Sequence, residues 1–133
     1  MSVASSIALS GMTVATLRLQ VSASNLANSL AEGPLPGSTS AAFSGAYSPL
    51  RVDQVETVGG GTSAIISTIS PSYVPKFDPT APYADGNGMV ASPNVDLASD
   101  VIRQMLARYS FAANAQVLRA DVQATATLLN TSC

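Results

Sequence analysis

The pattern of apolar residues, prolines and glycines divides the chain into three parts. Residues 1–31 contain no proline and one glycine, and residues 94–133 contain neither. Residues 32–93 contain every proline in the chain. Because proline and glycine interrupt helices, we predict a long N-terminal helix, an extended and partly β middle segment, and a long C-terminal helix.

Two apolar stripes run along the predicted N-terminal helix. The first consists of Val3, Ile7, Val14, Leu17 and Val21, and the second of Leu9, Met12, Leu19, Ala23, Leu26 and Leu30. A helix on the surface of a globular protein needs only one such stripe, so two stripes indicate neighbours on two sides. The alternative is a helix buried within a single domain, although the rest of the chain offers little to enclose it.

The predicted C-terminal helix has start signals and two stripes of its own. Pro93 ends the preceding segment, Asn94 is positioned to cap the first turn, and Asp96 and Asp100 follow near the positive end of the helix dipole. The stripes are Leu97, Val101, Phe111, Ala115, Leu118, Val122 and Leu129, and Ile102, Leu106, Tyr109 and Ala113. Helices of about 45–55 Å cannot curl into a small globule, so we expect them to pack antiparallel as a coiled-coil-like pair.

Residues 50–58 alternate between apolar and polar side chains, and residues 63–69 are rich in Ile and Thr. Three consecutive glycines, Gly59 to Gly61, join the two runs. This arrangement predicts a two-stranded hairpin with a glycine turn. A phosphate-binding loop is disfavoured because no Lys follows the glycines and no helix begins there.

Composition argues against catalysis and against metal or cofactor binding. The 133 residues include no His and a single Cys, Cys133. The usual metal-ligand sets, a Ser/His/Asp triad and a Cys/His pair are therefore excluded, and Cys133 is read as an inert thiol. We predict no enzymatic activity, no cofactor and no metal site.

The charge content limits the partners of the chain. Charged residues make up 11% of the sequence, less than half of the usual share of about 25%. The net charge of −2 argues against nucleic acid, which would require a basic surface. No apolar run is long enough to cross a bilayer, and the first positive charge is Arg18, which does not suit a cleaved signal peptide. A surface with so little charge suits a subunit that is largely covered by neighbours.

Three asparagines are candidates for packing contacts. Asn25 and Asn28 lie on one face of the first helix, and Asn114 lies in the second. Buried amides require hydrogen bonds, so these side chains would fix the register of packed helices, as a polar residue does in a coiled coil. From the residues alone, an equal alternative is that Asn28 caps the helix end and Asn114 faces water.

Three motifs resemble those of the flagellar axial proteins, which form the rod, hook and hook-associated structures. Residues 23–28, Ala-Ser-Asn-Leu-Ala-Asn, resemble the ASN-x-AN element, and residues 109–114 are similar to RSYEAN. Residues 73–95 resemble the signature of FlgC-type proximal rod proteins, although Ala81 and Met89 replace its usual His and Tyr. The matched signature positions are Tyr73, Asp78, Pro79, Pro82, Gly88, Pro93, Asn94 and Val95.

The resemblance implies a structural subunit of the proximal rod of the bacterial flagellar basal body, in the periplasmic space. It implies helical assembly with copies of the chain and with other rod proteins, around the export channel, to transmit motor torque. It also implies export through the flagellar type III apparatus without a cleaved signal. An alternative is a secreted helical effector or adhesin that uses the same route. The residues expected to pack in the assembly are Ile7, Val14, Val21, Asn25, Asn28, Phe111, Asn114, Leu118 and Val122.

Overall fold

The structure of the protein is a computed structural model that describes residues 2–38 and 44–131. Its elements in chain order are α1 (Val3–Ala27), β1 (Leu50–Glu56), β2 (Thr62–Thr68), β3 (Tyr73–Phe77), β4 (Met89–Pro93) and α2 (Leu97–Thr131). The prediction of two long terminal helices with a partly β segment between them is confirmed. Cys133 lies outside the described residues. Neither α1 nor α2 combines the length and apolar character that a membrane span requires.

The side chain at each helix start satisfies a free backbone amide. Ser2 Oγ accepts a hydrogen bond from the Ser5 amide at 3.1 Å before α1 begins. Asp96 Oδ1 accepts one from the Ser99 amide at 3.1 Å, so Asp96 caps the start of α2. At the other end of α1, Asn28 occupies the C-cap position.

The prediction that Asn94 caps α2 is wrong. The helix begins at Leu97, and the Asn94 side chain instead donates a hydrogen bond to the Pro71 carbonyl at 2.9 Å. Asn94 therefore connects the start of α2 to the segment before β3. The contact between Asn94 and Pro71 spans 23 residues, so the local sequence gives no indication of it. Asp96, two residues later, is of a residue type that caps helices as well as Asn does.

The first hairpin has the predicted strands and turn. Leu50 lies opposite Thr68 and Glu56 opposite Thr62 in an antiparallel pair. Gly59, Gly60 and Gly61 all have φ between 92° and 96°, a region that favours glycine. The hairpin lies along α1, and the Thr62 amide donates to Ser10 Oγ at 3.1 Å.

A second hairpin occupies the proline-rich approach to α2, within the middle segment that the sequence predicts only as extended and partly β. Strands β3 and β4 pair antiparallel, with Tyr73 opposite Pro93 and Pro75 opposite Ala91. The Ala91 amide and carbonyl bond Gly33 on the other side, at 2.8 and 3.0 Å. The Ala91 amide and carbonyl thus point away from β3. The residue opposite Ala91 therefore needs no backbone N–H for the β3–β4 pair, and Pro75 leaves none of its hydrogen bonds unmade.

Helices α1 and α2 lie side by side, with the start of α1 against the C-terminal half of α2. Ser2 Oγ donates to Asp121 Oδ2 at 2.6 Å, and Ser22 Oγ donates to the Asp100 carbonyl at 2.7 Å near the other end of the contact. The buried apolar residues are mostly small. They are Ala8, Val14, Ala15, Val21, Val90, Ala91 and Ala107.

Candidate assembly surface

The face that joins the two helices is built from short side chains. Ala8, Ala15 and Ser22 recur every seventh position of α1, and each is 2% exposed. On α2 the same interval relates buried Asp100 and Ala107 to half-buried Asn114 and Asp121. A seven-residue repeat keeps one face of a helix toward its neighbour over several turns. The buried side chains of this face therefore have their packing partners within the same chain.

Outside this contact face, α2 carries large apolar side chains that contact solvent. Five of them form what we call the outer stripe. They are Val101, Ile102, Met105, Leu106 and Tyr109, which are 45%, 57%, 52%, 62% and 70% exposed. Their spacing of three and four residues makes the stripe continuous along the helix. Large continuous apolar surfaces are uncommon on soluble monomers and mark sites of protein contact.

The predicted packing residues fall into two groups. Val14 and Val21 are buried within the chain, at 3% and 8% exposure. Leu118 is half-buried, whereas Ile7, Phe111 and Val122 are 40%, 41% and 59% exposed. Only the last three offer a substantial surface to a neighbouring subunit. Met105 belongs to the outer stripe but to neither of the stripes that the sequence predicts for α2. Those stripes pass through its neighbours instead.

Asn25 holds the first hairpin on α1. Its side chain is 1% exposed, and its Nδ2 donates to the Leu50 carbonyl at 2.8 Å. Its Oδ1 accepts from the Leu50 amide at 2.9 Å and from the Tyr47 hydroxyl at 3.1 Å. The amide thus satisfies both backbone groups of the first residue of β1.

The other two asparagines bond within their own helices. Asn28 Nδ2 donates to the Ser24 carbonyl at 2.9 Å, and Asn114 Nδ2 donates to the Ser110 carbonyl at 2.8 Å. Across residues 2–38 and 44–131, none of the three amides forms a hydrogen bond from one helix to the other. Asn114 nevertheless lies in the contact between the helices, against Gly11.

The signature residues at 73–95 lie in the second hairpin, in the turn that joins its strands, and in the link to α2. Asp78 Oδ1 accepts from the Thr80 hydroxyl at 2.7 Å and from its amide at 3.1 Å, and these bonds lower the pKa of the Asp78 carboxyl below its usual value. The Asp78 amide donates to the Gly88 carbonyl at 2.9 Å, which closes the turn. The signature therefore encodes a compact turn with internal hydrogen bonds.

An ion pair attaches this hairpin to the segment after α1. Lys76 Nζ lies 2.7 Å from Glu32 Oε1, which also accepts a hydrogen bond from Ser92 Oγ at 3.3 Å. The hydrogen bond to Glu32, and then its negative charge, raise the pKa of Lys76. Both strands of the hairpin thus contact the same carboxylate.

A cavity of about 260 Å³ opens between α1, α2 and the start of β1. Apolar side chains and three arginines, Arg18, Arg51 and Arg103, line it. Arg103 pairs with buried Asp100 at 2.8 Å, and Arg51 pairs with Asp53 at 3.1 Å. Within the described ranges no group of three His, Cys, Asp or Glu side chains is arranged to hold a metal ion. Asp100 lines the cavity as well, so two of its three arginines already have a carboxylate partner, and Arg18 is the arginine suited to binding a further anionic side chain.

Proteins similar to this chain are flagellar basal-body rod proteins FlgC. The Agrobacterium fabrum protein is 33% identical over 119 residues, which cover 90% of this chain and 86% of that protein. The Salmonella typhimurium protein is 32% identical over 114 residues, covering 84% and 83% of the two chains. The Yersinia enterocolitica protein is 33% identical over 112 residues with the same coverage. No protein-family model matches this chain.

Proposed function

The chain belongs to the FlgC family of flagellar basal-body rod proteins, and from that premise we propose that it is a structural subunit of the proximal part of the bacterial flagellar rod. Its role is mechanical. Copies pack helically with one another and with other rod proteins, transmit torque from the motor and surround the export channel. The single observation that supports this most directly is identity of 32–33% with rod proteins across 84–90% of the chain.

The arrangement of the two helices supports assembly through their outer surfaces. We propose that α1 and α2 form an antiparallel, coiled-coil-like pair, in which short side chains make the contact within one subunit. The contacts of Ser2 with Asp121 and of Ser22 with Asp100 support this direction. The outer stripe of α2 is then available for neighbouring subunits, where burial of its apolar surface contributes about 25 cal/mol per Å².

Membership of the FlgC family supports a proposal for export and location. We propose that the flagellar type III apparatus exports the subunit in unfolded form, without a cleaved signal, and that it assembles in the basal body within the periplasmic space. Helix pairs with a small core suit this route. A chain held together by few large buried side chains unfolds at a low free-energy cost.

Deletion of the gene, in a cell with one flagellar system, tests the function. The expected result is loss of hooks and filaments with the inner-membrane ring intact, because a rod subunit lies between them. Electron microscopy of isolated basal bodies provides the measurement, and a plasmid copy of the gene should restore swimming. Filaments of normal length on the deletion strain would contradict the assignment.

A further inference from the structure

Arg18 is a half-buried cation that has no ion-pair or hydrogen-bond partner among residues 2–38 and 44–131. Six Lys and Arg side chains occur in the chain, and all lie in the described residues. Arg51, Lys76 and Arg103 form ion pairs, whereas Arg108 and Arg119 are exposed to water. Within the described part of the chain, Arg18 is the remaining one, and it lines the cavity between the helices and the start of β1. A partly desolvated guanidinium gains most from a carboxylate, which it can bind through two parallel hydrogen bonds.

Glu56 is the matching group of opposite charge. All eight Asp and Glu side chains lie in the described residues. Seven of these carboxylates accept hydrogen bonds or form ion pairs, whereas Glu56 has no such partner in the part of the chain that the structure describes. It lies at the tip of the first hairpin, near Val58, whose side chain is fully exposed at 104%. The hairpin tip therefore presents an unpaired carboxylate beside an unsupported aliphatic side chain.

The cavity offers a partner for each exposed group of the tip: positive charge for the Glu56 carboxylate and apolar surface for the Val58 side chain. Besides the arginines, it is lined by apolar side chains that include Val21, Leu50, Val52 and Leu106. Its volume of about 260 Å³ lies below the range of about 300–1,000 Å³ for small-molecule pockets and is suited to one or two side chains. Asp100 also lines the cavity and pairs with Arg103, and Arg51 pairs with Asp53, so Arg18 supplies the net positive charge of the cavity.

We propose that the tip of the first hairpin of one copy docks into the arginine cavity of the next copy. Glu56 pairs with Arg18, and Val58 packs on the apolar wall. The donor surface is the tip of the hairpin and the acceptor surface lies at its base, so every copy has one of each. Such a contact between unlike surfaces does not close on itself as a two-fold dimer does, and successive contacts generate a ring or a helix. The inference rests on the proposed function because it makes this docking the contact between copies in the rod.

Charge reversal tests the docking. Arg18→Glu and Glu56→Arg each bring like charges together, and each should abolish swimming when it replaces the wild-type gene. The double variant restores the pair in the opposite sense and should restore swimming. The controls are Arg119→Glu, an exposed arginine on α2, and Gln54→Arg, an exposed position of β1. Both should swim like wild type.

Crosslinking provides a readout that does not depend on motility. In a Cys133→Ser background, one tagged copy carries Thr57→Cys at the tip and another carries Leu106→Cys at the cavity. Neither substitution alters Arg18 or Glu56. A short bismaleimide applied to purified, concentrated protein should give the mixed dimer, and neither copy alone should crosslink. Leu128→Cys, at the far end of α2, replaces Leu106→Cys as the control and should give no product.

Each other outcome overturns the inference. If both single charge reversals swim normally, Arg18 and Glu56 do not pair between copies. If both block swimming and the double variant does not recover, their partners lie elsewhere, on another rod protein or another segment. Absence of the mixed dimer in concentrated protein would likewise show that the tip of one copy does not dock into the cavity of another. These results leave the proposed function standing, because gene deletion and wild-type complementation report on it separately.

Discussion

Asn114 of α2 lies directly over Gly11 of α1. A Cβ atom on Gly11 would lie 2.7 Å from Asn114 Oδ1 and 2.8 Å from its Nδ2, closer than side chains approach one another. Turning Asn114 away would break the hydrogen bond that its Nδ2 donates to the Ser110 carbonyl at 2.8 Å. Glycine at position 11 therefore sets how closely the two helices approach.

Gly11→Ala should loosen the helix pair even though alanine is the better helix former. In an exposed helix the change stabilises by about 1 kcal/mol, but here the added methyl displaces the Asn114 amide. Amide hydrogen exchange should therefore become faster along α1. In an Asn114→Ala background the collision disappears, and Gly11→Ala should slow exchange. A slower exchange in both backgrounds would show that the helices do not approach this closely.

The hydrophobic pattern predicts the first hairpin and both helices because each has a strong local signal. It does not predict which residues form the contact between the helices. Apolar periodicity is dominated by large side chains, whereas Gly11, Ala15 and Ala107 make that contact with almost no side-chain volume. Many of the large apolar residues, such as Ile102 and Tyr109, are more than half exposed instead.

The second hairpin lacks a local signal for a physical reason. Pro75 in a run of residues argues against a strand, because proline cannot donate to the ladder. The strand is permitted because Ala91 bonds Gly33, nearly sixty residues away in sequence. The partners of Asn25 are likewise set by the fold, since a helix position gives no indication that its amide meets Leu50.

Acid should release the N-terminal end of α1 from α2. The hydroxyls of Ser2 and then Ser5 donate to the Asp121 carboxylate and lower its pKa below the ordinary value of about 3.9. A lowered folded-state pKa means that the contribution to stability is present above the unfolded pKa. It is lost as the pH falls through the lower, folded value.

Hydrogen exchange or limited proteolysis of the first turns of α1, measured as the pH is lowered below 4 in roughly half-unit steps, checks this expectation. Asp121→Asn removes the titrating group and should make this end mobile at neutral pH with little further acid dependence. The control is Asp96→Asn, which lies at the other end of the helix pair. An acid response at the N-terminal end that survives in Asp121→Asn would assign it to another group.

Asn25→Ala should detach the first hairpin from α1. The substitution leaves the Leu50 amide and carbonyl without partners in a buried site, which costs about 1–3 kcal/mol for each group that remains unsatisfied. Faster exchange of the Leu50 amide and earlier proteolysis near Tyr47 should follow. Asn28→Ala is the matched control, because among the described residues the Asn28 side-chain amide bonds only the Ser24 carbonyl of its own helix. Equal effects of the two substitutions would refute the role of Asn25 as the hairpin anchor.

The outer stripe of α2 should tolerate a charge in the free subunit but not in the rod. Tyr109 is 70% exposed, so the carboxylate of Tyr109→Asp remains hydrated in the monomer. If neighbours cover the stripe, assembly would bury that carboxylate without a partner, at a cost of several kcal/mol. Tyr109→Asp should therefore abolish swimming while immunoblots show a normal protein level.

Tyr109→Phe keeps the apolar surface of the stripe and should swim like wild type, since it removes only an exposed hydroxyl. Gln116→Glu introduces a negative charge at an exposed polar position of the same helix and should be mild. Normal swimming of Tyr109→Asp would show that no subunit covers this part of α2. Degradation of Tyr109→Asp, with Tyr109→Phe intact, would instead mean that the stripe folds against the chain itself. The separation of swimming from protein level thus distinguishes an assembly surface from an internal core.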